Sequence, residues 1–171
     1  MVVLVSDHGE RLGAEHLVRG RASHGGNPSF EEVLRVPLII SPAPAHLAGE
    51  FEGWLRSDDI HRLIQRIGGI EPILSPDLKP GELFVSEAHY QTYRQGSWKS
   101  FRDRKAGVLR LIDLATDAGE TRDVAADHPE IAAEHVRRLD ELSQQLAAAG
   151  TQDTRLTSED ERRLRALGYL D

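Results

Sequence analysis

An aspartate and a histidine stand side by side at Asp7 and His8, separated only by Ser6 from the apolar run Val2-Val3-Leu4-Val5 and directly before Gly9. A strand that ends in such a pair projects a carboxylate and an imidazole into the crevice beyond its carboxyl end, where the two can grip one cation. Gly9 permits the sharp exit that lets both side chains reach it. The same residues also suit a capped turn carrying a surface histidine, since so short a motif is not specific by itself. The chain has no cysteine, which removes disulfides, thiolate metal sites and cysteine nucleophiles together.

The elements that must position this pair follow from periodicity. An unbroken run such as Val2–Val5 reads as a strand buried on both faces, typical of a parallel sheet. Residues 6–29 are rich in glycine, the texture of a loop that carries a site. Phe30 to Leu34 suits a short helix, and Val36 to Ile40 a second buried strand with Pro37 near its start. Asp58 to Ile67 predicts a helix capped by Ser57, with Ile60, Leu63, Ile64 and Ile67 on one face and Gly68 at its end. Leu83 to Ala88, Gly96 to Phe101 and Val108 to Leu114 then read as strands of a small antiparallel sheet, with a hairpin at Asp103 to Gly107. A long helix follows, with Asp127 as cap, Pro129 in its first turn and a stripe of Ile131, Val136, Leu139, Leu142 and Leu146. A last short helix is expected from Ser158 to Gly168. The expected fold class is therefore α/β. Residues 1–76 read as a remnant of a parallel sheet, and 77–171 as a small α+β unit of antiparallel sheet plus long helix.

Composition narrows the partners. The 171 residues carry a net charge of −7, with no basic block and few aromatics, so nucleic acid is a poor fit. No apolar run approaches the roughly 20 residues that cross a bilayer, so no membrane partner is expected. The first residues have neither the length nor the basic flank of a signal peptide, and the compartment is left unspecified.

Beyond Asp7-His8-Gly9 stand Leu12-Gly13, Glu15-His16, His24-Gly25, Phe30-Glu31-Glu32 and Leu34-Arg35-Val36-Pro37-Leu38-Ile39-Ile40. Further on come Asp58-Asp59-Ile60, Gly68-Gly69-Ile70, Trp98-Lys99, Asp113-Leu114-Ala115-Thr116-Asp117, Glu120-Thr121-Arg122-Asp123 and the closing Arg162 to Leu170. In order and spacing this set resembles the C-terminal part of the sulfatase family, within the alkaline phosphatase superfamily, over nearly the whole chain. The resemblance implies a divalent cation, usually calcium, beside a formylglycine nucleophile, with manganese or zinc as other candidates. It implies that Asp7 and His8 are metal ligands. His24 would contact the sulfate and the leaving oxygen, with a spacing to Phe30 about one residue longer than usual in the family. His16 is a weaker match, because Gly13-Ala14-Glu15-His16 carries an insertion relative to the family's Gly-Glu-His. Arg35 suits a buried ion pair at the strand entry, and His89 suits an exposed loop.

The departures are as informative. No Cys/Ser-x-Pro-x-Arg motif occurs, so formylglycine is not encoded in this chain, and the family's early aspartate pair has no counterpart. Two ligands make a poor site, since catalytic zinc takes three and calcium six to eight oxygens. The resemblance thus implies part of a sulfuric ester hydrolase, inactive alone, with 1–76 from its catalytic α/β domain and 77–171 a C-terminal subdomain. The sulfate ester would be the parent's substrate. A phosphate or phosphonate ester is the alternative within the superfamily, and a non-catalytic module the alternative outside it. The two apolar runs would leave unpaired edges that favour a separate N-terminal half or self-association. The isolated chain is expected to bind a hydrophobic dye or to self-associate on sedimentation; a monodisperse monomer with little dye binding would count against that expectation.

Overall fold

The computed structural model describes residues 2–12, 16–17, 29–42, 55–68, 79, 81–86, 89–149, 162 and 165. In chain order these form β1 (Val2–Val5), α1 (Glu31–Leu34), β2 (Leu38–Ser41), α2 (Ser57–Gly68), β3 (Glu82–Ser86), β4 (Tyr90–Gln95), β5 (Trp98–Asp103), β6 (Val108–Asp113) and α3 (Pro129–Ala149). Strands β3 to β6 make an antiparallel meander in the order β3-β4-β5-β6. The expected antiparallel sheet and long C-terminal helix are therefore present.

The parallel remnant is not what the described residues form. β1 and β2 pair antiparallel, Val2 opposite Ser41 and Val5 opposite Leu38. An apolar run states that both faces want cover; it does not state the direction of the partner, which here is set by the return of the chain after α1. Nor are the strands buried: Val2 is 66% exposed, Leu4 60% and Ile39 55%. Leu4 and Ile39 are register partners, and Val2 lies two residues from Leu4, so the three share one open face. β2 begins only at Leu38, one residue beyond Pro37, which has no N–H to give to a ladder.

The meander is covered on both faces. Register places Tyr93, Ser100 and Leu111 in one row, with Gln91, Arg102 and Leu109 in the next row of the same face. This face receives α3, where Leu139 and Leu142 pack with Tyr93, Phe84 and Leu109. Each fully buried side chain of this size contributes roughly 1.5–3 kcal/mol. The opposite face carries Thr92, Lys99, Phe101 and Ile112; Phe101 and Ile112 pack with Phe30, Leu17 and Leu114. Contacts thus run across the division placed near residue 76 in the sequence.

Four local expectations change. β4, with the sequence Tyr-Gln-Thr-Tyr-Arg-Gln, is a central strand that its polar composition conceals, and a two-residue turn at Gly96-Ser97 joins it to β5. Gly96 has φ of 60°, which suits that tight hairpin. The N-cap place of α2 falls to Arg56 rather than Ser57: the Asp59 and Ile60 N–H groups both donate to the Arg56 carbonyl, and the Asp59 carboxylate accepts the Arg56 N–H. On α3 the inward stripe is His135, Arg138, Leu139 and Leu142, while Val136 and Leu146 are exposed. Its two polar members have partners on the sheet. The Arg138 guanidinium donates from Nε to Glu82 Oε1 at 3.0 Å and from Nη2 to Oε2 at 2.6 Å. His135 Nδ1 lies 2.9 Å from Ser100 Oγ. α2 buries Ile60 but leaves Ile64 exposed. Of the last expected helix only Arg162 and Arg165 are described, both helical; the rest lies outside the described residues.

Two of these groups predict an acid response. Burial holds the His135 imidazole down at about 4, against the weaker pull of Glu134. Burial also works to raise Glu82, but the bonds from Arg138, the Tyr93 hydroxyl and the Lys79 N–H outweigh it and hold the carboxyl at about 2. In both cases the unfolded chain binds more protons than the folded one, so stability falls as pH falls. The His135 contribution is lost between about 6.5 and about 4, and the Glu82 contribution between about 4.5 and about 2. Urea midpoints measured from pH 7.5 to 3 should show a first decline that H135N flattens, because asparagine keeps a partner for Ser100 and does not titrate. A decline of equal size in H135N would assign that arm to other groups.

Candidate functional site

The Asp7-His8 turn organises itself. The His8 N–H donates to Asp7 Oδ1 at 3.0 Å, and the Ser6 hydroxyl donates to the His8 carbonyl at 2.7 Å. His8 Nδ1 lies 2.7 Å from the Gly9 carbonyl, an acceptor, so the neutral ring carries its proton there and its lone pair on Nε2. His8 Nε2 is 3.8 Å from Asp7 Oδ1, and the two side chains are 41% and 75% exposed.

Bonds of about 2.0 to 2.6 Å to each donor would let one cation span a gap of this size. The donor set is nevertheless incomplete, because no cluster of three His, Cys, Asp or Glu suited to a metal exists among the described residues. The described residues therefore do not by themselves fit a calcium or zinc ion.

Gly9 fixes the turn to the rest of the molecule. Its N–H donates to the Val33 carbonyl at 2.7 Å. A Cβ at this position would stand 2.1 Å from the Glu32 carbonyl oxygen, so only glycine lets the two backbones approach so closely. Alongside, His16 is set into the packing. Its Nε2 is 2.8 Å from Glu32 Oε1, its Nδ1 is 2.8 Å from the Gly119 carbonyl, and its ring stacks on Phe30 at 4.1 Å. Both nitrogens are thus engaged with acceptors. The Arg11 guanidinium also lies over the Phe30 ring, 5.2 Å from its centroid. His24 lies outside the described residues. Arg35 is exposed rather than buried, and its N–H closes α1 on the Glu31 carbonyl at 2.8 Å; the acids of α1 pair instead with Arg94 at Glu31 and Arg11 at Glu32. His89 is exposed, as its loop position suggests.

Of the residues that hold this arrangement, Glu31, Lys99 and Glu120 stand in the sequence only as members of motifs without a role, and Arg94 stands in none. Lys99 is completely buried, with its ammonium 2.9 Å from Glu31 Oε1 and 2.7 Å from Glu120 Oε1, the latter a close ionic contact off the hydrogen-bond direction. Glu120 Oε2 accepts the Glu31 N–H at 2.6 Å. Arg94 donates to Glu31 Oε2 at 2.7 Å. Burial pushes the Glu120 carboxyl up, and Lys99 pulls it back. Glu120 also has φ of 56°, uncommon for a residue with a Cβ. Around it the aspartates of the 113–123 segment fold the chain by accepting backbone N–H groups. Asp113 takes that of Ala115, Asp117 those of Thr121 and Arg122, and Asp123 those of Leu111 and Ala125. No signal in the sequence links Glu31 to Lys99, which meet only in the folded chain.

Gly9→Ala should force the turn away from α1, with a cost of about 1–3 kcal/mol from overpacking. Denaturant midpoints of the variant and the wild type measure it, and an unchanged midpoint would show that the turn is not held by this contact.

No protein-family model matches the chain, and no curated protein matches it. Among solved structures, one described as BT1596, a 2-O GAG sulfatase, is similar, with a TM-score of 0.50 and 16% sequence identity. The alignment covers 91% of this chain and 38% of that one, so the chain spans well under half the length of the solved protein. At that identity the likeness speaks for the fold: this chain folds loosely like a portion of a sulfatase.

Proposed function

We propose that this chain is the C-terminal portion of a sulfuric ester hydrolase of the sulfatase type, contributing Asp7 and His8 to a divalent-cation site whose other ligands and nucleophile come from elsewhere. The observation that carries this reading is the exposed Asp7-His8 pair, its Oδ1 and Nε2 3.8 Å apart at the exit of β1. The loose likeness to a sulfatase fold supports it. Calcium is the expected ion, with manganese or zinc as substitutes, and His24 is the residue assigned to the sulfate and leaving oxygen. A phosphate or phosphonate ester is compatible with the same pair, since the anions are near-isosteric tetrahedra. Two donors in place of six to eight give a weak site, so the chain alone carries no turnover of its own.

A second reading is favoured by one observation. The open face of Val2, Leu4 and Ile39 suits a polypeptide that covers it, so the chain is also read as a module that pairs with a separate N-terminal half. Co-purification with a chain that carries a Cys/Ser-x-Pro-x-Arg motif supports both readings together.

Calorimetric titration with calcium, manganese and zinc chlorides tests the site. Binding is expected at a Kd of roughly 1 mM or weaker, and D7N or H8Q should abolish it. An aryl sulfate should not be hydrolysed by the isolated chain. Tight zinc binding that survives D7N and H8Q and is lost in H24A would replace this site with a different one.

A further inference from the structure

We propose that Lys99 is a positioning residue for the Asp7-His8 turn, acting from the C-terminal sheet through Glu31, Glu120 and α1. The inference rests on the reading of that turn as a ligand pair, but its structural part stands apart from metal binding. Lys99 belongs to β5, in the middle of the meander, and no part of its side chain reaches solvent. A lone buried ammonium is costly, so it persists only with partners, and the partners it has are two carboxylates from outside the sheet. One, Glu31, opens α1; the other, Glu120, receives the Glu31 N–H. The four-residue helix α1 is too short to hold itself in place. It is pinned at its start by this cluster, with Arg94 balancing the second negative charge.

The far end of the same helix meets the turn. The Val33 carbonyl accepts the Gly9 N–H, and the Glu32 carbonyl lies against Gly9 with no room for a Cβ. A second line runs in parallel. The Glu120 carbonyl accepts the Leu17 N–H at 2.9 Å, and His16 spans the Gly119 carbonyl and the Glu32 carboxylate. Both lines begin at residues 119–120 and finish at α1. The left-handed backbone of Glu120 is the mark of a residue held by its surroundings, here by its carboxylate and its carbonyl together. Removing the Lys99 charge leaves the buried Glu120 carboxylate without a cation beside the part-buried Glu31 carboxylate, whose one remaining cation is Arg94, and this pushes α1 off the sheet and takes the Gly9 contact with it.

Amide hydrogen exchange of the full chain tests this, with wild type, K99M, E31Q and the double variant K99M/E120Q. In K99M the Gly9 and Glu31 amides should exchange at least tenfold faster, while the Val124 amide and those of α3 keep their protection. E31Q, which removes one anion and leaves the core intact, should speed Gly9 in the same direction. K99M/E120Q, with the excess buried charge removed and an acceptor retained for Glu31, should restore most of the Gly9 protection. Unchanged Gly9 exchange in both K99M and E31Q overturns the proposal. Equal acceleration of Gly9 and α3 in K99M, with no restoration in the double variant, also overturns it and makes Lys99 a residue of general stability. If K99M does not fold, E31Q against wild type decides alone. Broadening of the His8 ring signals by manganese chloride, followed in the wild type, reports separately on the cation reading: its absence ends that reading and leaves the exchange result to stand.

Discussion

A lysine ammonium in a fully buried place is the constraint on which the remaining arrangement depends. Lys99 is carried into the interior by the strand register, since it shares a face with Phe101 and Ile112 and these cover Phe30. An unpaired charge there would cost far more than one hydrophobic contact returns. The structure answers with Glu31 and Glu120, one from the segment before the sheet and one from the turn after it. A charge fixed by the sheet thereby decides where α1 lies, and α1 decides where the turn at Gly9 lies.

The other face of the sheet obeys the same rule with the signs exchanged. There a carboxylate, Glu82, is the buried charge of β3, and it accepts bonds from Arg138, Tyr93 and Lys79. Networks of this kind are stable only when every member is satisfied. They also specify alignment, because hydrophobic side chains such as Leu139 and Leu142 tolerate sliding and a bidentate arginine does not. The meander is thus locked to α3 by the Arg138–Glu82 and Arg102–Asp140 ion pairs and to α1 by the Lys99–Glu31 and Arg94–Glu31 pairs. β1 and β2 lack any such partner among the described residues: their open face is apolar and exposed.

The chemistry of the turn is limited by this same geometry. Asp7 and His8 present two donors at a spacing one cation can bridge, on a backbone held by Gly9. The proposed function assigns the missing donors and the nucleophile to another polypeptide segment, which the exposed face of β1 and β2 suits. In that arrangement the C-terminal sheet is more than an appendage, because its buried lysine is tied through Glu31 and α1 to the turn that carries Asp7 and His8.

Residue types and spacing by themselves determined much of this protein: the antiparallel sheet, α2, the long α3 and the hairpin at 103–107; they also marked Asp7-His8-Gly9 as a candidate. Each rests on local signals, namely periodicity, turn residues and caps. Tertiary structure alone decided the direction of β1 against β2, the presence of β4 and the inward face of α3. β4 is polar because both its faces meet polar partners, and α3 turns His135 and Arg138 inward because Ser100 and Glu82 wait there. The pairing of Lys99 with Glu31 and Glu120 was of the same kind. A buried charge is set by partners far away in sequence, and no periodicity along one strand records which carboxylate will arrive to meet it.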